Sequence, residues 1–147
     1  MIWIHQGSPV HSLPEDCVGF VYIITNLSNN KKYIGKKLAK FAKTTYKMIL
    51  QKNGKKVKKR IRKSIDSDWQ DYYGSCDELT KDIEIVGKQY FRREILHYCK
   101  SKSETSYMEA KEQFMRGVLE TSNYYNGHIQ VRVHGKHILK VSARVKH

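Results

Sequence analysis

Gly19-Phe20-Val21-Tyr22-Ile23-Ile24-Thr25-Asn26, then Leu27-Ser28-Asn29-Asn30, then Lys31-Lys32-Tyr33-Ile34-Gly35, is the stretch whose reading decides the fold. Its first eight residues are aromatic and β-branched, the next four carry turn chemistry, and the last five read as a returning strand. The spacing therefore predicts a β-hairpin. Beyond it the pattern from Lys36 to Lys63 is mixed, with helical spacing at Leu38, Phe41 and Tyr46 and a turn at Asn53-Gly54. We read about 38–66 as an irregular, basic insertion. Ser75-Cys76-Asp77-Glu78 has the form of a capping box and opens a helix through Leu79, Ile83 and Val86 that Gly87 stops. Phe91 to Tyr98 follows as a third strand. Ser106-Tyr107-Met108-Glu109 is again of capping-box form and starts a helix that runs to about Leu119. After a turn at Asn123 to Gly127, Ile129 to Val133 and Ile138 to Val145 alternate as a C-terminal β-hairpin would. No internal repeat is visible.

The 147 residues suit one domain, 1–147, with a core at 19–127 and a basic extension at 128–147. Twenty-eight Lys and Arg against fourteen Asp and Glu leave a formal charge of +14. That charge is concentrated: no acid lies between Asp16 and Asp66, and fifteen of the basic residues fall between Lys31 and Lys63. A second acid-free stretch follows Glu120 and carries Arg132, Lys136, Lys140, Arg144 and Lys146. A cationic face of this kind suits a polyanion, and nucleic acid is the first partner to expect. A solvated basic face is the plain alternative for Lys52 to Lys63. The longest apolar run, Phe20 to Ile24, is far short of a membrane span, and nothing at the amino end reads as a secretory signal. The expectation is a cytoplasmic protein with no membrane partner. Cys17, Cys76 and Cys99 are odd in number and widely spaced, which argues for reduced core thiols rather than a disulfide framework or zinc site. His128, His134, His137 and His147 are too irregular for a zinc set.

Two acids on the second helix can be compared by spacing. Glu109 has Thr105, Gln113 and Arg116 at neighbouring positions and a task at the expected cap. Glu112 has Met108, Met115 and Leu119 at i−4, i+3 and i+7, which sets a carboxylate against an apolar side. A charge there is costly without a partner. Function and a simple pairing with Lys111 or Arg116 are equal readings of that placement.

Val21-Tyr22-Ile23 followed across a hairpin by Tyr33-Ile34-Gly35 resembles the signature of the GIY-YIG nucleases. Lys111-Glu112-Gln113-Phe114 is similar to the family's segment with its metal-binding glutamate, and Tyr125-Asn126 to its late asparagine. Ser67-Asp68-Trp69-Gln70-Asp71-Tyr72-Tyr73-Gly74-Ser75 resembles a phage-encoded, free-standing branch related to homing endonucleases. The resemblance spans residues 19 to 127. It implies an α+β fold with a small antiparallel β-sheet flanked by helices, and metal-dependent hydrolysis of DNA phosphodiesters, with Mg²⁺ or another divalent cation such as Mn²⁺ on Glu112. A cation that keeps its waters needs only one carboxylate plus phosphate oxygens. The resemblance further implies phenol chemistry at Tyr22 and Tyr33, with Lys36 or Lys37 favouring the phenolate and holding the phosphate, and an orienting Asn126.

The chain departs from the family where an arginine is expected beyond the glycine of the second motif. That spacing lands on Lys43, with Lys47 and Tyr46 beyond it. Displacement by the insertion would instead make Tyr72 the aromatic partner and Arg60 or Arg62 the cation. Lys43, Lys55, Lys56, Lys58, Lys59, Arg60, Arg62, Lys63 and Arg132 are expected to hold the nucleic-acid backbone. On this reading Glu112→Ala abolishes cleavage and spares DNA retention. The rival is a non-catalytic nucleic-acid-binding protein on the same scaffold, and a third reading is an RNA-binding protein that stacks bases on tyrosines.

Overall fold

Eight consecutive buried residues, Gly19–Asn26, form the middle strand of the sheet, and the rest of the chain is arranged to cover its two faces. The computed structural model describes residues 1–138. In chain order the strands and helices are β1 (Ile4–His5), β2 (Ser8–Pro9), β3 (Gly19–Asn26), β4 (Lys32–Leu38), β5 (Lys40–Leu50), β6 (Lys56–Asp66), α1 (Asp77–Val86), β7 (Phe91–Cys99) and α2 (Lys102–Met115). The five-stranded sheet has the order β2-β1-β7-β3-β4. β3 runs antiparallel to β4 and to β7, while β1 lies parallel to β7, so the sheet is mixed rather than wholly antiparallel. The expected hairpin is present as β3 and β4, and the third strand as β7.

Alternation along β3 sorts its side chains into two cores. Phe20, Tyr22 and Ile24 pack with Trp3, Trp69, Leu79, Ile83, Phe91 and Ile95 on the side of α1. Val21 and Ile23 pack with Ile34, Cys99 and Val118 on the side of α2. With both faces covered, β3 reads as a continuous apolar run instead of an alternating one. Arg93 is buried at 4% exposure with no salt bridge among the described residues: its guanidinium donates to the carbonyls of Met1, Gln70 and Tyr72, and lies 4.6 Å from the Trp3 ring. It ties the turn before α1 to the sheet.

Four expectations are corrected. The basic insertion is not irregular: β5 and β6 pair over eleven residues each as an antiparallel ribbon, from Lys40 opposite Asp66 to Leu50 opposite Lys56. β5 is exposed at every position, so it lacks the half-buried alternation that announces a strand. α2 begins about one turn before the predicted start. Its N-cap is Ser101, whose hydroxyl accepts the Glu104 N–H at 3.0 Å, and Ser106 lies inside the helix. The N-cap of α1 is Cys76 rather than Ser75, and Gly87, at φ +104°, ends it as expected. At the carboxyl end, residues 129–134 form no strand and 135–138 are helical, so the first arm of the predicted hairpin is absent. The rest of its second arm, Leu139 to Val145, lies outside the described residues. Among the described residues no helix is long and apolar enough to cross a membrane.

Candidate active site

The outer edge of β4 is the place to look, because an unpaired strand edge must have its backbone groups met from elsewhere. The Lys32 N–H donates to the Asn123 carbonyl at 2.9 Å, and the Tyr125 N–H donates to the Lys32 carbonyl at 2.7 Å. The Ile34 N–H donates to Asn126 Oδ1 at 3.0 Å, while Asn126 Nδ2 donates to the Ile34 carbonyl at 2.8 Å and Gln113 Nε2 at 3.2 Å. The Glu109 carboxylate lies beside Lys36, with which it shares a cleft wall. Closing the edge thus gathers residues from α2 and from the segment after it beside the tyrosines of the hairpin. Between them is a cleft of about 570 Å³ whose lining includes Tyr22, Tyr33, Lys36, Glu109, Gln113 and Asn126.

Tyr22 and Tyr33 come together as predicted, with ring centroids 6.2 Å apart. Tyr22 is opposite Gly35 in the strand register, and its ring folds across that position. A Cβ on Gly35 would overlap the Tyr22 hydroxyl and stand 2.6 Å from Tyr22 Cζ and 2.9 Å from the Tyr33 ring. Gly74, at φ +89°, closes over the same hydroxyl, and a Cβ there would lie 3.6 Å from it. Tyr72 packs edge-on against Tyr22 at 5.8 Å. Lys37 Nζ stands 4.1 Å above the Tyr72 ring and donates to Asp68 at 2.6 Å. Lys36, on the other face of the strand, donates to the Ser106 hydroxyl at 2.8 Å and lines the cleft directly.

Burial pushes the Tyr22 hydroxyl well above the usual phenol range, with Tyr72 and Tyr33 adding to the shift. Burial also raises Tyr33, against a hydrogen bond from Ser75. The expectation that lysines favour the phenolate is not met: both are neutral phenols, able to donate.

The structure separates the two acids of α2: Glu112 takes the pairing with Arg116 that its spacing also allowed, against the role that the resemblance implied for it. Glu112 does not reach the tyrosines. Its carboxylate takes His97 Nε2 at 2.7 Å and Arg116 Nε at 2.8 Å, and these contacts hold it below the usual carboxylate range in spite of burial. The side assumed apolar is in fact largely solvent: Met115 is 71% and Leu119 51% exposed. With the helix starting at Lys102, Glu109 is no cap residue. It enters the cleft, half-buried and without a salt bridge among the described residues. Burial raises its carboxyl, with Lys36 and then His128 acting in the other direction. Ser101-Lys102-Ser103-Glu104 is itself of capping-box form, and was the signal that could have placed Glu109 in mid-helix.

The described residues hold no cluster of three or more His, Cys, Asp or Glu able to bind a metal ion alone. One helical turn from Glu109, however, Gln113 Oε1 is buried with no hydrogen-bond partner. A carboxylate and an orphaned amide oxygen at an open cleft suit a hard cation that keeps most of its waters. Asn126 lines the cleft, with both ends of its amide on the Ile34 backbone. Lys43, Arg60 and Arg62 lie on the ribbon and not at the phenols, which leaves Tyr72 with Lys37 as the pair beside Tyr22. Lys55 is in the turn of the ribbon, Lys56, Lys58, Lys59 and Lys63 are on β6, and Arg132 is exposed in the irregular carboxyl-terminal segment.

A family model described as "Putative endonuclease segE, GIY-YIG domain" matches residues 3–129. No curated protein and no solved structure matches the chain.

Proposed function

The chain belongs to the SegE-type GIY-YIG endonuclease family, and from that premise we propose a divalent-metal-dependent DNA endonuclease in which Glu109, in place of Glu112, is the cation-holding acid. The observation that carries this is the convergence of Tyr22, Tyr33, Lys36 and Glu109 on one cleft. Glu109, assisted by Gln113 Oε1, would hold Mg²⁺ or Mn²⁺. When bound, such an ion neutralises phosphate charge and makes a water more acidic.

The protein's own groups supply the rest. The neutral hydroxyls of Tyr22 and Tyr33 donate to the water or to a phosphate oxygen in the cleft, and the glycines on either side leave the Tyr22 hydroxyl room to do so. Lys36 meets the charge that grows on the phosphate as water adds to phosphorus and the bond to the leaving sugar oxygen breaks. Lys37, held on Tyr72 and Asp68, is a second cation next to Tyr22. Asn126 positions the carboxyl-terminal wall of the cleft through Ile34.

Supercoiled plasmid incubated with Mg²⁺ or with chelator tests the reading. Nicking or linearisation only with the metal is expected. Glu109→Gln is expected to lower the rate at least about a hundredfold, and Glu112→Gln to stay within about threefold of the parent. Parental cleavage by Glu109→Gln overturns the assignment of the acid, and salt-sensitive binding without any cleavage favours the non-catalytic rival.

A further inference from the structure

Two of the eleven rungs of the β5–β6 ribbon set lysine directly opposite lysine: Lys43 faces Lys63, and Lys47 faces Lys59. Like charges in that position destabilise a strand pair. Nothing in the described residues relieves them, since none of the four joins a salt bridge. Four residues separate the rungs, so both project from one face of the ribbon. The rungs that flank and divide them are uncharged: Phe41 with Ile65, Thr45 with Ile61, and Ile49 with Val57.

At its root this face meets the aromatic residues behind the cleft, where Tyr72 packs on Tyr22. The Phe41 ring lies 5.1 Å from Lys37 Nζ, the ammonium that also stands over Tyr72. The opposite face starts from Lys40 and Asp66. It carries Lys56, Lys58, Arg60 and Arg62 along a single strand, with the Lys58 ammonium 4.4 Å above the Tyr46 ring. Beyond the Lys40–Asp66 rung, whose charges offset one another, each face bears four cations, in different arrangements.

Dimensions point to the occupant. Eleven residues of strand span about 36 Å, close to one turn of duplex DNA at about 34–36 Å. The paired-lysine rungs are about 13 Å apart, near the width of the major groove at about 12 Å, which admits a two-stranded ribbon. We propose that the paired-lysine face is the docking surface for the DNA duplex flanking the cut. Lys43, Lys47, Lys59 and Lys63 contact phosphates, and Ile61 between them faces the base edges. This rests on the DNA endonuclease reading above and adds to it a sided surface that reaches about one helical turn from the cleft. The polyanion removes the repulsion within each rung, so binding and ordering of the ribbon reinforce one another.

The test compares two variants of equal charge: Lys43→Gln/Lys47→Gln/Lys59→Gln/Lys63→Gln and Lys56→Gln/Lys58→Gln/Arg60→Gln/Arg62→Gln. Binding to a duplex of about three helical turns is measured in chelator, so that no cleavage is required, across a salt series. The first variant is expected to lose four phosphate contacts. Its affinity should then fall about a hundredfold less than the parent's between roughly 50 and 200 mM salt, while the second keeps most of the parental slope. Should the first fail to fold by circular dichroism, Lys43→Gln/Lys63→Gln is expected to lose about half as much slope. Equal losses from the two faces, a larger loss from the second, or tighter binding to duplex RNA than to DNA overturns the proposal. Failure of the parent to bind any duplex overturns the DNA reading itself, a result distinct from equal faces.

Discussion

β3 and β5 are strands of similar composition in hydroxyl, aromatic and β-branched residues, yet one is buried at all eight positions and the other exposed at all eleven. In the sheet, packing from two sides decides where each side chain points, and Tyr22 is fixed to within the width of a missing methyl group. In the ribbon only the ladder of backbone bonds sets position, and nearly every side chain is left for a partner. Precision at the cleft and, on the docking proposal, reach along a duplex thus fall to separate parts of the chain. The comparison makes a ranked forecast for stability, because changes at the sheet disturb packing and changes in the ribbon do not.

The largest loss is expected from Gly35→Ala. The added carbon must displace the Tyr22 and Tyr33 rings, at about 1–3 kcal/mol for overpacking a core, and cleavage should fall with it. Urea unfolding and the plasmid assay read the two effects, and a variant of parental stability and rate would show that the rings move aside freely. Asn126→Ala is next. It removes both of the side-chain bonds to Ile34 and should cost about 1–2 kcal/mol, which the same unfolding curve measures.

Glu112→Gln follows, at about 1 kcal/mol near neutral pH, with a dependence on pH that identifies it. The carboxyl of Glu112 is lowered in the fold, so its contribution is present above the ordinary glutamate range and disappears as pH falls through the lowered value. The gap between parent and variant should therefore close on acidification; a gap that widens contradicts the contacts of the carboxylate with His97 and Arg116. The smallest effect belongs to the ribbon. Replacing residues 44–62 by Asn-Gly should leave the unfolding free energy within about 0.5 kcal/mol of the parent, while weakening duplex binding. A large loss of stability would mean that the ribbon supports the sheet.

The same contrast explains what the sequence revealed. The hairpin of β3 and β4, the strand β7 and the helix ended by Gly87 were legible because burial imposes a pattern on residue type. The ribbon was not legible as strands, since a segment exposed on both faces has no periodicity to read, although Asn53-Gly54 marked its turn. Tyr22, Tyr33, Lys36 and Asn126 were named in advance and lie at the cleft. Glu109 was passed over because two capping boxes five residues apart, at Ser101 and Ser106, compete for one helix start. The later one gives Glu109 a task at the cap and leaves Glu112 as the acid without one. The apolar look of Met115 and Leu119 reinforced that choice, yet both are solvent-facing beyond the end of the packed core.

Gly35 and Gly74 flank the Tyr22 hydroxyl: at Gly35 a side-chain carbon would overlap it, and at Gly74 one would press on Leu79 from a backbone at φ +89° that side chains rarely adopt. A one-base change in either codon, to alanine, adds that carbon. Evolution therefore has a short route from a cutter to a silent binder that alters no phenol, acid or ammonium of the cleft by substitution and only shifts the tyrosine rings.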